Sequence, residues 1–424
     1  MSLNVIGKSH LRKDAIAKVT GKAIYPQDVY MDNMLYGKTL RSKMPHANIK
    51  VDIKEAEEME GVVKVFTAKD VKGENAHGVM FKDHEVFASK KVRRVGDPIA
   101  FVVAETNEIA EKALKLVKVE YEELPAVFDP EEAMKEGAPK VHDGVDNLLY
   151  HFKIRKGFGK DNIDKAFEEC DEIAENTYTV PQIDQAFLQP EAGVAYIDED
   201  GTVVLIYATQ YQHFDRLEVA EALGVDKEKI RLLNATVGGA FGGREDTMAQ
   251  IHLALAAHTL QRPVKTIYSR HESFIAHSKR HAEKIYVKTG VKKDGKLHAL
   301  EARIVGDSGA YASWAFSVLR KSGVHVTGPY EVPHVKVDSM AVYTNNPFAG
   351  AMRGFGATQV PIAYEQQMDI LAEKLGISPI EIRMKNLFKE GSVTATGQIL
   401  TESVPLKRCF EAVLDAMNLK GEEK

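Results

Sequence analysis

An α/β or α+β architecture is predicted for this chain by three features of its sequence. Its 424 residues exceed what one hydrophobic core usually fills, so two or three domains are expected. Short apolar runs typical of buried strands alternate with stretches whose apolar residues follow helical spacing. No repeat at a fixed period occurs, which argues against solenoids and propellers.

The first part of the chain is predicted to form a strand, a helix and a strand. Residues 99–104 have a buried-strand pattern, and Thr106 is placed to cap the helix that follows. Apolar and charged residues then alternate over 117–122. Residues 137–164 are rich in Gly, Asp, Lys and His without periodicity, which predicts an inter-domain connection. The expected domains are residues 1–136 and 165–424.

The second part contains two glycine-rich segments. In order, the patterns predict a strand at 202–209, a helix ended by Gly224, a strand at 230–237, a glycine-rich turn at 238–246 and a helix that runs toward Gln261. A second irregular segment, 343–356, precedes a helical pattern that ends at Gly376. Ser378 and Glu381 then predict a capping box.

Charge and composition exclude several classes of function. Lys and Arg number 56 against 61 Asp and Glu, a net charge of −5, so no basic excess exists to neutralise nucleic-acid phosphates. The longest apolar runs are far below the ~18 residues of a membrane span. The N-terminus lacks the apolar region of a signal peptide, and two cysteines are too few for a disulfide framework or an iron–sulfur cluster. A cytoplasmic protein without nucleic-acid or membrane partners is expected.

The glycine-rich turn at 238–246 lies between a predicted strand and a predicted helix, where backbone N–H groups can receive an anion or a ligand oxygen. Ala240 breaks the dinucleotide fingerprint, and Arg244 stands where a P-loop needs lysine. Glu245 and Asp246 would repel phosphates, but a carboxylate there could accept hydrogen bonds from the N–H groups of a neutral ligand. Taken alone, the motif fits equally well a tight turn that serves only backbone geometry.

The second glycine-rich cluster places Arg353 and Phe355 two residues apart, with Gly354 and Gly356 beside them. A cation and an aromatic face with room around them can hold a planar partner. The alternative is a phenylalanine in the core and an arginine paired with a carboxylate, and these two residues alone favour that alternative.

Other candidate groups are interpreted as structural. His277 and His281 stand at helical i, i+4 spacing, which would suit a zinc pair, but no further ligand follows at a metal-binding interval. A solvated basic segment before a strand at 284–291 is therefore predicted. Cys170 and Cys409 are expected to be small buried hydrophobes.

Three segments together resemble one family. Thr209-Gln210, residues 238–245 and residues 351–356, in this order and spacing, look like the molybdopterin-binding subunits of the xanthine dehydrogenase and aldehyde oxidase family. Residues 13–23 and 95–100 are similar to that family's hammerhead domain. The resemblance implies an N-terminal hammerhead α/β domain followed by the first part of a molybdopterin-binding domain with mixed sheets.

The resemblance also implies a cofactor and the residues around it. The cofactor is molybdenum held by a pterin, the cytosine dinucleotide form being one option, with no protein side chain bound to the metal. The residues that match the family's cofactor site are Gln210, Gly239, Phe241, Gly242, Gly243 and Arg353, of which Gln210 and the backbone N–H of Phe241 approach the metal. Those that match its substrate site are Glu245, Phe355 and Lys321. Gln210 and Glu245 are the implied catalytic residues.

The implied reaction is hydroxylation of an electrophilic ring carbon with oxygen from water, after which electrons pass through 2Fe–2S clusters to FAD on partner subunits. In single-chain relatives the molybdenum-binding part continues for several hundred residues and includes a glutamate general base. Either a second molybdopterin-binding subunit carries this C-terminal half, or the sequence is a fragment of a longer chain. Split subunits of about this length occur among bacterial hydroxylases, so a second subunit is the favoured expectation for a partner.

The expected substrate is a purine such as xanthine or hypoxanthine, because the Glu245 carboxylate suits a ring N–H that an aldehyde lacks. Nicotinate is the main alternative, followed by an aldehyde and by a non-enzymatic cofactor carrier. The failed dinucleotide fingerprint disfavours a nicotinamide-dependent dehydrogenase. Carbon monoxide dehydrogenases of the superfamily place a cysteine in the segment matching 351–356, where this chain has none.

Overall fold

A computed structural model describes residues 3–419 of the protein. Its strands are β1 Leu35–Arg41, β2 Ala47–Asp52, β3 Val62–Phe66, β4 Lys91–Val92, β5 Pro98–Ala104, β6 Lys118–Glu123, β7 Leu148–Lys156, β8 Glu172–Val180, β9 Ala192–Ile197, β10 Val203–Tyr207, β11 Ile230–Asn234, β12 Val264–Ile267, β13 Ala282–Val291, β14 Leu297–Gly309 and β15 His334–Tyr343. Its α-helices are α1 Ala15–Val19, α2 Lys54–Glu57, α3 Asn107–Leu114, α4 Pro130–Ala133, α5 Asp164–Glu168, α6 Gln212–Leu223, α7 Gln250–Leu260, α8 Arg270–Ala276, α9 Ala315–His325, α10 Pro361–Leu375, α11 Pro379–Asn386 and α12 Leu406–Ala416.

The predicted mixed architecture is confirmed, and the helix signals of the sequence act as expected. Thr106 begins α3 by accepting a hydrogen bond from the N–H of Ile109 at 3.2 Å. Gly224 ends α6 in the left-handed conformation, with φ 69°. Ser378 caps α11 by accepting from the N–H of Glu381 at 3.0 Å.

A seven-stranded sheet forms the first large layer. Its strand order is β11-β10-β9-β12-β1-β5-β3, and β1 runs parallel to β12 with Leu35 opposite Val264. Helices α6 and α7 pack on it and contribute Val219 and Leu253 to its core. Strands from both sides of residues 137–164 therefore share one sheet.

A five-stranded sheet, β7-β15-β14-β13-β8, forms the second large layer. A three-stranded sheet, β4-β2-β6, is formed by strands of the first part of the chain. Helices α9 and α10 pack on the five-stranded sheet. The glycine-rich turn at 238–246 joins β11 to α7, whereas the segment 351–356 lies between β15 and α10. The two predicted site segments therefore come from different layers.

The first part of the chain differs from the expected strand, helix and strand unit in its pairing. Strand β5 lies in the seven-stranded sheet, but β6 pairs with β2 in the three-stranded one. Residues 137–164 are also more regular than expected, because β7 lies inside them and pairs with β15. The division into domains at these residues remains a prediction.

The prediction of a solvated basic segment at 277–281 is wrong. His277 and His281 are fully buried, and Lys279 forms an ion pair with Asp184 at 2.9 Å. Helix α8 ends before this segment, which runs as extended chain and forms isolated bridges through Lys279 and Arg280. Among residues 3–419 no group of three or more His, Cys, Asp or Glu side chains is arranged to hold a metal ion.

The two cysteines differ in exposure. The expectation of a buried side chain is wrong for Cys409, which is exposed, and is met only in part for Cys170, which is half-buried. No helix within the described residues is long and apolar enough to cross a membrane.

Because Glu283 on β13 is buried, the protein should lose stability as pH rises from about 4.5 toward 8. The Glu283 side chain accepts a hydrogen bond from Ser322 Oγ at 2.7 Å, and burial raises its pKa to about 8. Because the folded-state pKa lies above the ordinary value, its stabilising contribution is present at acid pH and is lost as pH rises through 8. Glu283→Gln should remove a loss of about 1 kcal/mol of unfolding free energy per pH unit between pH 6 and 8. Chemical denaturation across this range measures it, with exposed Glu402 changed to Gln as the control; an identical pH dependence in parent and Glu283→Gln would contradict the prediction.

Candidate functional site

The two glycine-rich segments meet. The backbone N–H of Arg353 donates to the carbonyl oxygen of Phe241 at 2.9 Å. Gly242 lies against the second segment so closely that a Cβ there would be 2.6 Å from the carbonyl oxygen of Ala351. Gln185 Nε2 donates to the same Ala351 oxygen at 2.8 Å, which fixes the segment from its other side. Backbone contact therefore joins the turn and the segment directly.

A cavity of about 490 Å³ opens where the segments meet. Its lining residues are Gln210, Tyr211, Phe241, Gly242, Glu245, Trp314, Ala351, Met352, Arg353, Gly354 and Phe355. The structure thus brings six of the nine predicted site residues to one cavity.

The side chain of Gln210 is held by the glycine-rich turn. Its Oε1 accepts hydrogen bonds from the backbone N–H groups of Gly242 at 3.0 Å and Arg244 at 3.3 Å. Its backbone N–H donates to the carbonyl oxygen of Arg244 at 3.0 Å. With the oxygen engaged, the amide nitrogen has no partner within residues 3–419, and it remains available as a donor at the cavity.

Two phenylalanines adopt the left-handed backbone conformation beside the cavity. Phe241 and Phe355 both have φ 53°, a region that bulky residues rarely occupy. Phe355 packs partly on the core of the five-stranded sheet, whereas the Phe241 side chain is 49% exposed. The backbone N–H of Phe241 donates to no other described residue. Such strain is concentrated at functional sites and supports a role for both residues.

Glu245 is the acidic group on the cavity wall. No described residue donates a hydrogen bond to its carboxylate, and burial together with the neighbouring Asp246 raises its pKa to about 7. Asp246 turns into the protein and accepts a hydrogen bond from Ser313 Oγ at 2.6 Å. The Glu245 carboxylate therefore faces the cavity, and the Asp246 carboxylate anchors the turn.

The remaining predicted residues lie around the cavity. Arg353 lines it with an exposed side chain that forms no ion pair among the described residues, so the carboxylate-paired alternative is not adopted. Lys321 does not line the cavity, but its Nζ lies 5.9 Å from the centre of the Phe355 ring. Gly239 and Gly243 shape the turn, since a Cβ at either position would lie only 2.9 Å or 3.0 Å from the Phe187 side chain.

Five lining residues were not among the predicted site residues: Tyr211, Trp314, Ala351, Met352 and Gly354. Tyr211 adjoins the predicted Gln210, and the last three lie in the segment 351–356, so the position of these four could have been inferred. Trp314 comes from the start of α9, and no motif marks it; its being the only tryptophan of the chain is the one available signal.

Arg244 supports the glycine-rich turn from the interior of the protein. Its buried guanidinium donates to the carbonyl oxygens of Ala208 at 3.0 Å and Gln189 at 2.6 Å, and it lies 4.5 Å from the centre of the Phe187 ring. It therefore belongs to the scaffold of the site and not to its ligand-binding surface.

These observations fit a cofactor that presents oxygen atoms to the turn. The free amide of Gln210 and the free N–H of Phe241 are donors, and Gly242 leaves the backbone open to close approach. Fold and cavity are therefore compatible with the molybdopterin-binding protein that the sequence resemblance implies.

Comparison with known proteins identifies the family. Residues 141–387 match the model of the molybdopterin cofactor-binding domain, and residues 20–125 match the a/b hammerhead domain of aldehyde oxidase and xanthine dehydrogenase. The chain belongs to the xanthine dehydrogenase and aldehyde oxidase family of molybdenum hydroxylases.

Individual relatives differ in length. The chain is 40% identical to the nicotinate dehydrogenase large molybdopterin subunit of Eubacterium barkeri, over 99% of this chain and 98% of that protein. It is 41% identical to a probable xanthine dehydrogenase subunit of Bacillus subtilis, over 90% of this chain but 51% of that one. The solved aldehyde oxidoreductase of Desulfovibrio gigas is 30% identical with a TM-score of 0.91, over 96% of this chain and 46% of that one.

Gly242→Ala tests the contact between the two segments. The new Cβ would meet the Ala351 oxygen, and the glycine has φ 102°, so the variant should lose roughly 2–4 kcal/mol of stability and most of the molybdenum bound by the native complex. Gly397→Ala is the matched control, because its φ of 89° carries similar strain with no atom within 4 Å. Thermal unfolding and metal analysis measure both effects. Equal behaviour of the two variants would show that the contact is unimportant.

Proposed function

We propose that the protein is the molybdenum-cofactor-binding subunit of a multi-subunit hydroxylase that inserts water-derived oxygen into an N-heteroaromatic substrate. The observation that carries this proposal is the unpartnered Glu245 carboxylate on the wall of the cavity that the Phe355 ring also lines. A ring N–H can donate to the carboxylate while the ring face packs on the phenylalanine. An aldehyde offers no such donor.

Different residues of the chain bind and orient the cofactor and the substrate. When bound, the molybdenum–pterin group supplies oxygen transfer from water and takes up the two electrons released. Gln210 and the backbone N–H of Phe241 donate hydrogen bonds that orient this group, and Arg353 offers a cation to its anionic parts. Glu245 and Phe355 hold the substrate ring.

A purine such as xanthine or hypoxanthine is the first substrate class, because Glu245 can accept a hydrogen bond from a ring N–H. Nicotinate is the second, and the near full-length match to a nicotinate dehydrogenase subunit favours it. Lys321, beside Phe355, is a cation that an anionic substrate could approach. Oxidation rates of the purified native complex with hypoxanthine, xanthine, nicotinate and aldehydes distinguish these classes, and a complex that oxidises only aldehydes would overturn the proposal.

Partner subunits are proposed to complete the enzyme: a second molybdopterin-binding chain, an FAD subunit and a 2Fe–2S subunit, in the cytoplasm. The chain spans about half the length of two of the relatives above. Helix α12 supports an additional chain, because only Leu414 on it is buried while Val413 and Met417 are 55% and 61% exposed.

The pH dependence of activity should follow the protonation of the Glu245 carboxylate. Its pKa of about 7 means that the carboxylate becomes protonated, and loses its acceptor role, as pH falls below 7. For the parent complex, kcat/KM with a purine should therefore fall about tenfold per pH unit below 7 and level off above it. Glu245→Ala and Glu245→Gln should lower kcat/KM more than tenfold at pH 8, for a lost charged hydrogen bond of roughly 1.5–3 kcal/mol, and should flatten this acid limb.

The exposed Glu390, changed to Gln, is the control and should keep the parent profile. An unchanged acid limb in Glu245→Gln would assign the pH dependence to another group.

The apolar face of α12 gives a test of the partner proposal. Val413→Asp with Met417→Asp should weaken binding of the second molybdopterin-binding chain at least tenfold, because two buried apolar side chains contribute roughly 1.5–3 kcal/mol each. Arg408→Asp, on the opposite side of the helix, is the control. Co-expressed chains compared by size-exclusion chromatography and titration measure the effect.

The isolated chain should show no substrate-dependent dye reduction, and substantial reduction by it alone would refute the need for a partner.

A further inference from the structure

A third segment borders the cavity, in the turn before α9. Ser313 has φ 38°, another left-handed conformation in a residue other than glycine. Its hydroxyl donates to Asp246 Oδ1 at 2.6 Å, and the backbone N–H of Ala312 donates to Asp83 Oδ2 at 2.8 Å. These hydrogen bonds therefore hold the turn in a strained conformation. Asp246, which accepts one of them, is the residue next to Glu245 in the sequence.

The strained turn presents Trp314 to the cavity. Its ring meets Tyr211 edge-on, with centres 5.7 Å apart and planes at 66°, and meets Phe355 in the same manner at 5.7 Å and 69°. The indole N–H is buried and has no partner among the described residues. Ring contacts, and not a hydrogen bond, therefore fix the orientation of the indole.

The ring of Phe355 depends on these contacts. Its backbone is left-handed, and Gly354 and Gly356 on either side are in positive φ as well. Trp314 lies against the ring, and the Lys321 ammonium lies near it at 5.9 Å. Both Trp314 and Phe355 pack on the core of the five-stranded sheet.

We infer that Trp314 is a positioning residue that sets the angles of the Phe355 and Tyr211 rings and so makes the cavity selective for planar aromatic substrates. This inference rests on the proposed function, because it takes Phe355 as the wall against which the substrate ring packs. It adds a residue that no motif identifies, and its role is to orient the wall without donating or accepting a proton.

Steady-state kinetics of the native complex test the inference with whichever ring substrates the parent oxidises among hypoxanthine, nicotinate and benzaldehyde. Trp314→Leu removes both edge contacts and should raise KM about tenfold for each ring. Trp314→Phe restores an aromatic edge and should stay within about threefold of the parent. Phe316→Leu is the matched control, since this ring of α9 packs on Tyr150 at 3.7 Å and does not line the cavity.

Parent-like KM values in Trp314→Leu, or an equal loss in Trp314→Phe, would overturn the inference. So would an equal loss in Phe316→Leu, because it would indicate general damage to α9. A parent that oxidises benzaldehyde but neither heterocycle would refute the proposed substrate class and still test Trp314.

Fluorescence of the full-length chain gives a readout that needs no turnover, because Trp314 is its only tryptophan. Phe355→Leu should shift the emission maximum by several nanometres, since the ring that packs on the indole is gone. Phe158→Leu, which removes a ring stacked on His334, should leave the emission unchanged. An unshifted maximum in Phe355→Leu would contradict the contact.

Discussion

The site depends on one backbone contact between two layers of the fold. The hydrogen bond from the Arg353 N–H to the Phe241 carbonyl joins the turn after β11 to the segment before α10. The close approach of Gly242 to Ala351 leaves no room for a Cβ. Each segment is supported by its own sheet, so the relative position of the sheets determines whether cofactor donors and substrate wall face the same space.

The contact between the two segments also determines where the two carboxylates of the glycine-rich turn lie. Glu245 and Asp246 are neighbours in the chain, yet one lines the cavity and the other accepts a hydrogen bond from Ser313 inside the protein. Burial raises the pKa of both carboxyls, and the proximity of Asp246 raises that of Glu245 further. An acid placed in this way changes protonation near neutral pH, where it can respond to a ligand N–H.

Sequence patterns predicted the features that local chemistry controls. Thr106 begins its helix through its own side chain, and Gln210 lies in a short motif that a resemblance can match. The buried segment 277–281 was missed because an ion pair with a distant carboxylate and isolated bridges, not local spacing, determine its environment. Trp314 was missed for the same reason, since the strained turn before it depends on a hydrogen bond to Asp246, 67 residues earlier in the chain.

Strain links the site to the stability of the whole fold. Phe241, Ser313 and Phe355 each hold a left-handed conformation that costs of order 1–3 kcal/mol, and all three lie in segments that border one cavity. The surrounding packing must offset this cost before any ligand binds. A ligand that takes up the free donors of Gln210 and Phe241 would stabilise the same conformations, because it binds only when they are formed. Cofactor binding and correct juxtaposition of the two sheets are therefore coupled equilibria, and a change that loosens one weakens the other.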